Sequence, residues 1–181
     1  MIRLRVWANE LPMGWFGHEA GQYYFQYDEN WLNSGHAYVL APQFVLRAEP
    51  HLGEPVKIFF ANLLPEGAVL EEILSAIHMR DASPFEIIGQ MGEELPGVLS
   101  VRAQGHVPSG LQQYRPLTKE TLSQRIKDRD QQKPLLISND QSSMSLPGAQ
   151  DKLGLRYDGR RDRLYDSVAS TPTTHIAKPD T

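Results

Sequence analysis

The chain has no cysteine among its 181 residues. This absence excludes disulfide bonds, thiolate zinc sites and a cysteine nucleophile, and it gives no sign of an oxidising compartment. No apolar run approaches the roughly 20 residues that cross a membrane, and the first residues alternate polar with apolar side chains, unlike a signal peptide. We therefore expect a cytoplasmic protein that does not associate with membranes.

An excess of positive charge is lacking as well. The formal net charge is −4 and the isoelectric point is about 5.8. Such a chain has no overall basic field for nucleic acid, so we do not expect DNA as a direct partner. The 6 histidines show no spacing typical of metal ligands, and we expect no metal site in this chain. The hydrophobic content of 40% suffices for one domain or two small ones.

The first fifty residues predict an antiparallel β-meander. Polar and apolar residues alternate over 2–7, a turn follows at 9–14, and 15–18 predicts a return strand. The aromatic run at 22–27 predicts a third strand, because aromatic side chains suit a pleated surface. We expect a further strand within 37–45.

Helical periodicity begins after this meander. Apolar residues recur at three- and four-residue steps over 55–77, with a break at Pro65–Gly67, which predicts two helices. A third helix is expected after Ser83, since serine caps a helix and proline is tolerated in its first turn. The other elements expected in this part of the chain are a loop at 92–97, a strand at 97–101 and a short helix at 118–126.

Glycine, proline and serine interrupt both periods between residues 103 and 111, which indicates a boundary. We predict a first unit over 1–104, a linker with a short helix over 105–140, and a second unit over 141–181. In the second unit, Asp158-Gly159 between alternating segments predicts a hairpin, and a further strand is expected at 175–178.

A loop of small residues at 146–150 precedes the first strand of this hairpin. Walker loops and dinucleotide fingerprints need their glycines to open a helix, so both are excluded. The order of strand, loop and strands is typical of a kinase amino-terminal lobe, where a loop covers the phosphates and a lysine on a later strand, here Lys178, reaches them. Spacing alone leaves an alternative, which is an ordinary β-sheet loop with a solvated lysine.

Four stretches carry a resemblance to a known family: 59–67, 92–100, 145–152 and 171–178. Together they closely resemble the HipA family, the serine/threonine kinase toxins of bacterial toxin–antitoxin modules. The resemblance implies an α+β fold, with an antiparallel β-meander and packed helices followed by the start of a kinase-like amino-terminal lobe with antiparallel strands. It also implies a helical carboxy-terminal lobe in the whole protein.

The activity implied by the resemblance is phosphorylation of a protein by Mg²⁺-ATP. The implied target is an aminoacyl-tRNA synthetase, the glutamyl enzyme in the best-known relative, whose modification halts translation and promotes persistence. The implied partner is a HipB-like DNA-binding antitoxin, so that DNA is reached only through this partner.

Motif matches also imply site residues. The ATP-binding residues implied are Gly148, Ala149, Gln150, Asp151, Lys152 and Lys178. Ser145 is implied as an autophosphorylation site whose modification ejects the loop, and the arrangement of two serines implies Ser143 as a second site. A phosphate here would place about −1.5 to −2 charges beside a bound triphosphate, although serines before a glycine turn are also plain turn formers.

The sequence departs from the family pattern after Lys178, since Thr181 is its last residue. No catalytic-loop aspartate and no metal-binding aspartate of the kinase pattern follow. We therefore expect no catalytic residue and no metal ligand in this chain, and no phosphoryl transfer by the chain alone. We favour a piece of a longer kinase. The alternative is a non-catalytic subunit, or antitoxin-like binding module, of a split HipA-type kinase.

Overall fold

The computed structural model describes residues 2–76, 78–79, 81–95, 97–108, 113–129, 152–168 and 171–178. These ranges contain two antiparallel sheets, each with its own apolar core. The elements in chain order are β1 Arg3–Ala8, β2 Leu11–Glu19, β3 Gln22–Tyr27, α1 Glu29–Leu32, β4 His51–Leu52, α2 Glu54–Ala61, α3 Gly67–Ala76, α4 Pro84–Met91, a 3₁₀ turn Gly92–Glu94, β5 Leu99–Ala103, β6 Gln113–Leu117, α5 Lys119–Arg129, β7 Leu153–Asp158, β8 Arg163–Val168 and β9 His175–Ala177. No helix in the described ranges is both long and apolar enough to span a membrane.

The first sheet has the strand order β4-β3-β2-β1-β5. The predicted meander of β1, β2 and β3 is confirmed, and its register places Leu4 opposite Phe16 and Phe16 opposite Phe25. Because side chains alternate between the two faces of a strand, these three residues share one face and are all buried.

Helices α2 and α4 cover this apolar face of the first sheet. Phe60 of α2 stacks on Phe16, with ring centroids 3.8 Å apart, and neither side chain is exposed. Phe85 of α4 packs against the same Phe16 ring at 5.4 Å. The core between the first sheet and its helices is therefore an aromatic layer.

Helix α4 begins where the sequence predicts it. The Ser83 hydroxyl accepts a hydrogen bond from the Glu86 backbone N–H, while the Glu86 carboxylate accepts one from the Ser83 backbone N–H at 2.7 Å. The Ser83 hydroxyl also donates to the Glu86 carboxylate at 2.7 Å. This bond is the largest cause that lowers the pKa of Glu86, and the bond from the Ser83 backbone N–H is the next. The pair forms a capping box and satisfies donors at the helix start.

The prediction of a strand within 37–45 is wrong, because the chain between α1 and β4 is irregular. Side chains, and not a neighbouring strand, form hydrogen bonds with the backbone of this segment. The Tyr27 hydroxyl donates to the Phe44 carbonyl and accepts from the Leu40 N–H, both at 2.7 Å, and the Trp31 indole N–H donates to the Tyr38 carbonyl at 3.2 Å. The short strand β4, which no sequence pattern indicated, pairs with β3 instead.

The second sheet has the order β6-β8-β7-β9 and contains the predicted β7–β8 hairpin. Strand β6 was not predicted. It lies in the segment expected to be a linker, yet it pairs with β8 along its whole length. Pro116 has no N–H to donate, which an edge strand tolerates. The division of the chain into units stays a prediction, but part of the expected linker builds this sheet.

Helix α5 begins after Thr118, whose hydroxyl accepts from the Thr121 N–H at 3.1 Å. It extends beyond the predicted end and supplies Leu122 to the core of the second sheet. The Arg125 guanidinium binds both carboxylate oxygens of Asp166 on β8, at 2.9 and 2.6 Å. Asp166 is only 7% exposed, so this ion pair fixes α5 to the sheet in a poorly solvated place.

The Arg125–Asp166 pair yields a stability prediction. Arg125→Met leaves a buried carboxylate without its partner and should lower the free energy of unfolding by about 3–5 kcal/mol. The double variant Arg125→Met/Asp166→Leu removes both charges and should lose much less. Urea unfolding, followed by hydrogen exchange of β7 and β8 amides, measures both values. An equal loss in the two variants would show that the charge pairing is not the cause.

The buried ring of His51 gives a dependence on pH. Burial is the main cause that lowers the pKa of His51, although the Nε2–H donated to the Val45 carbonyl at 3.0 Å opposes it. The unfolded chain therefore binds more protons than the folded chain as the pH falls below about 6.5. The free energy of unfolding should then fall from about pH 7.5 to about pH 5.5, and less steeply in His51→Gln. His106→Gln, which changes an exposed histidine, should keep the wild-type slope; equal slopes in all three proteins would refute this role of His51.

Candidate functional site

The structure describes two of the residues that the sequence singled out, Lys152 and Lys178. The other candidate residues lie outside the described ranges; these are Ser143, Ser145, Gly148, Ala149, Gln150 and Asp151. Lys152 directly precedes β7, and Lys178 directly follows β9.

The pairing of β7 with β9 brings the two lysines to the same end of the second sheet. In this antiparallel ladder Leu153 faces Ala177 and Leu155 faces His175. One further step in the same register sets Lys152 opposite Lys178. Residues far apart in the sequence thus meet because of strand pairing.

Alternation along β7 also decides which face of the sheet the lysines share. Leu153 and Leu155 are buried in the core that includes Leu122 of α5. Lys152 and Lys178 therefore belong to the opposite face, together with Ile176, which is 61% exposed. This face has no helix packed on it among the described elements.

Two ammonium groups at opposed positions of a ladder repel each other, and an anion bound beside them relieves the repulsion. Lys178 is exposed and forms no ion pair with any residue that the structure describes, while Lys152 is half-buried. The candidate phosphate-loop residues come immediately before Lys152 in the sequence. Lysine side chains neutralise phosphate charge, which is the chemistry that the sequence predicts for these two positions.

Strand β9 has only three residues, and Thr174 holds it against β7. The Thr174 hydroxyl accepts the Tyr157 backbone N–H at 3.0 Å, and the Thr174 backbone N–H donates to the Leu155 carbonyl at 3.0 Å. The same hydroxyl lies 2.8 Å from Nδ1 of His175. These contacts set the register that places Lys178.

The residues before Thr174 tie the β8–β9 connection to β6. The buried hydroxyl of Thr171 donates to the Val168 carbonyl at 2.6 Å and accepts the Gln113 N–H at 3.1 Å. The Tyr114 hydroxyl donates to the Pro172 carbonyl at 3.0 Å. From the sequence, 171–178 was recognisable only as a family motif. The positioning roles of Thr171 and Thr174 were not predicted, because their hydrogen bonds join segments that are distant in the chain.

In the ranges that the structure describes, no group of three or more histidine or acidic side chains is arranged to hold a metal ion.

Comparison with known proteins gives the family. Residues 4–102, more than half of the chain, match the model of the HipA N-terminal domain. The chain belongs to the HipA family. The resemblance drawn from the four sequence stretches is thereby confirmed.

Two relatives align along almost the whole chain. The Y4mE protein of Sinorhizobium fredii, whose name proposes a kinase, is 31% identical over 183 residues, which cover 97% of this chain and 43% of that protein. The serine/threonine-protein kinase toxin HipA of Shewanella oneidensis is 28% identical over 179 residues, which cover 98% of this chain and 40% of that protein. The chain thus spans about two fifths of the length of these relatives.

A solved structure has the same fold. It is a chain in the complex of HipA, HipB and operator DNA from Shewanella oneidensis, with a TM-score of 0.68 and 23% identity over 96% of this chain and 39% of that chain. The predicted α+β class, with antiparallel strands and packed helices, is confirmed by this likeness and by the two sheets described above.

The role of Thr174 in placing β9 is testable by hydrogen exchange. Thr174→Val removes the acceptor of the Tyr157 N–H, a bond worth about 0.5–1.5 kcal/mol, so exchange at Tyr157 should accelerate by about two- to tenfold. Thr174→Ser keeps the hydroxyl and should retain slow exchange. Unchanged exchange at Tyr157 in the valine variant would show that β9 holds its register without this bond.

Proposed function

We propose that this chain is the amino-terminal part of a HipA-type serine/threonine protein kinase that belongs to a toxin–antitoxin system. The observation that carries the proposal is the β7–β9 register, which sets Lys152 and Lys178 opposite each other at one end of the ladder. The candidate phosphate loop directly precedes Lys152 in the sequence. The names of both aligned relatives as kinases support it.

In this proposal the phosphate loop and the two lysines bind ATP together. The backbone N–H groups of residues 148–151 face the phosphates, and the ammonium groups of Lys152 and Lys178 neutralise phosphate charge from the sheet. Bound Mg²⁺-ATP supplies the phosphoryl group that is transferred. The aspartates that orient the substrate hydroxyl and hold Mg²⁺ belong, in this proposal, to the remainder of a longer kinase.

Ser145 and Ser143 are proposed as autophosphorylation sites. Both come shortly before the phosphate loop in the sequence, so a phosphate on either one would set like charge against the triphosphate. Phosphorylation would then weaken ATP binding and switch the kinase off.

The proposed partners follow from the family. A HipB-like antitoxin is supported by the solved relative, which stands in a complex with HipB and operator DNA; this chain would reach DNA only through such a partner. The proposed substrate is an aminoacyl-tRNA synthetase, whose phosphorylation in the cytoplasm would inhibit translation and promote persistence.

The lysine assignment is tested in the longer kinase. Lys178→Ala or Lys152→Ala removes a charged contact worth about 1.5–3 kcal/mol, which corresponds to roughly 10- to 150-fold weaker ATP binding by calorimetry. Lys57→Ala is the matched control, because Lys57 is a partly exposed lysine of α2 on the first unit. ATP affinity that stays at the wild-type value in both site variants would refute the site.

Phosphoryl transfer separates the proposal from its alternative. The longer protein should modify itself or a synthetase when supplied with labelled ATP. If it binds ATP but modifies no protein, the kinase assignment fails. If labelling needs a separate chain that carries the aspartates, the protein is a subunit of a split kinase instead.

A further inference from the structure

The face of the second sheet that carries Lys152 and Lys178 also holds a cavity of about 170 Å³ towards the β7–β8 turn. Side chains alternate along β7, so Arg156 shares the face of Lys152, and the register sets Tyr165 of β8 opposite Arg156. We call this cavity the arginine–tyrosine pocket, lined by Tyr114, Arg156, Asp158, Arg161 and Tyr165.

Arg156 is positioned in this pocket by an aromatic ring and not by a carboxylate. Its guanidinium carbon lies 4.4 Å from the centre of the Tyr114 ring. That ring is itself fixed, because the Tyr114 hydroxyl donates to the Pro172 carbonyl at 3.0 Å and its edge packs against Tyr165. Arg156 is half-buried and forms no ion pair or hydrogen bond with any residue that the structure describes. The donors of a guanidinium lie in its plane, so contact with a ring face leaves them available to a ligand.

Arg161 and Tyr165 add donors that solvent can reach. The Arg161 side chain is 72% exposed, and its Nε lies 3.9 Å from the Asp158 carboxylate, which is longer than a hydrogen bond. The Tyr165 hydroxyl, on a half-buried side chain, has no hydrogen-bond partner among the described residues.

Asp158 is the acidic side chain that lines the pocket. Its Oδ1 accepts the backbone N–H groups of Arg160 and Arg161, at 3.0 and 3.3 Å, so this oxygen serves the β7–β8 turn. Two guanidinium groups and one carboxylate leave the pocket with an excess of positive charge. Together with the Tyr165 hydroxyl, the pocket offers three separate donor groups to an anion.

We propose that the arginine–tyrosine pocket binds a phosphate monoester. The three terminal oxygens of a phosphoryl group can accept from Arg156, Arg161 and Tyr165 at once, whereas the two oxygens of a carboxylate match a single guanidinium. The volume equals that of about five or six water molecules, which admits a phosphoryl group but not a whole nucleotide. The inference does not rest on the kinase function, because Lys152 lies four residues, roughly 13 Å, away along β7.

Arginine Nε–H signals in nuclear magnetic resonance test this site directly. Inorganic phosphate is titrated into the ¹⁵N-labelled 181-residue chain at constant ionic strength. The signals of Arg156 and Arg161 should shift and saturate, whereas Arg125, whose guanidinium already binds Asp166, should not shift. The backbone amide of Ala177 reports separately on the lysine end of the ladder. Acetate should bind at Arg156 at least about tenfold more weakly than phosphate, since it has fewer acceptor oxygens and less charge.

Two variants locate the bound phosphate. Arg156→Gln removes a charged donor and should weaken phosphate binding, read from the Arg161 signal, by about tenfold or more. Tyr165→Phe keeps the ring but loses the hydroxyl and should weaken it by about two- to tenfold. Arg160→Gln makes the same change of charge at an exposed neighbour that does not line the pocket, and should bind like the wild type. Unchanged far-ultraviolet circular dichroism shows that each variant is folded.

Two further probes distinguish the sources of a phosphate monoester. One is a capped glycine–phosphoserine–glycine peptide, and the other is adenosine 5′-monophosphate, whose phosphoryl group alone fits the pocket. Both should compete with inorganic phosphate at Arg156. Tighter binding of the peptide assigns the pocket to a phosphorylated polypeptide, and tighter binding of the nucleotide assigns it to a small molecule; either order supports a phosphate monoester site.

Three results would overturn the proposal. Equal affinity for acetate and phosphate at Arg156 would show that the pocket attracts any small anion. An equal loss of affinity in Arg156→Gln and Arg160→Gln would show that only the overall charge of the turn matters. Shifts that saturate at Ala177 without any at Arg156 would place the bound phosphate at the lysine pair and leave the pocket without a role in binding it.

Discussion

The pairing of β7 on both of its edges is the constraint on which the second sheet depends. β7 joins β8 through a tight hairpin and joins β9 through a register that Thr174 holds. A slip of one residue in that register would move every β9 side chain to the other face. The meeting of Lys152 and Lys178 thus rests on backbone pairing and on a threonine hydroxyl, and the proposed phosphate site depends on both.

In both sheets the two faces carry different kinds of side chain. In each of them strand alternation collects the apolar side chains on one face, which helices cover: α2 and α4 on the first sheet, and α5 on the second. The other face carries cationic side chains in both sheets. On the first sheet these are Arg3, Arg5 and Arg102, and on the second they are Lys152 and Lys178. An antiparallel sheet needs only one apolar face packed on the core, so its other face can carry polar and charged side chains. The proposed phosphate site lies on this face of the second sheet.

Local patterns predicted the elements whose hydrogen bonds are local or whose period is strong. The meander β1–β3, the capping box at Ser83 and the β7–β8 hairpin are of this kind. The strand expected within 37–45 failed because Tyr27 and Trp31 supply hydrogen bonds from elsewhere in the chain. No local pattern predicts β6, because Pro116 and the charged Arg115 beside it are poor strand formers. An edge position in the sheet tolerates them.

The sequence by itself determined the family, the elements of strong period and the identity of the lysine candidates, since motifs and periodicity are properties of neighbouring residues. Only the tertiary structure decided that Lys152 lies opposite Lys178, that Thr174 holds their register, and that Arg5 lies between Trp15 and Arg102. These features depend on which strands pair and in which register. Such pairing joins segments that are distant in the sequence, so no local pattern determines it.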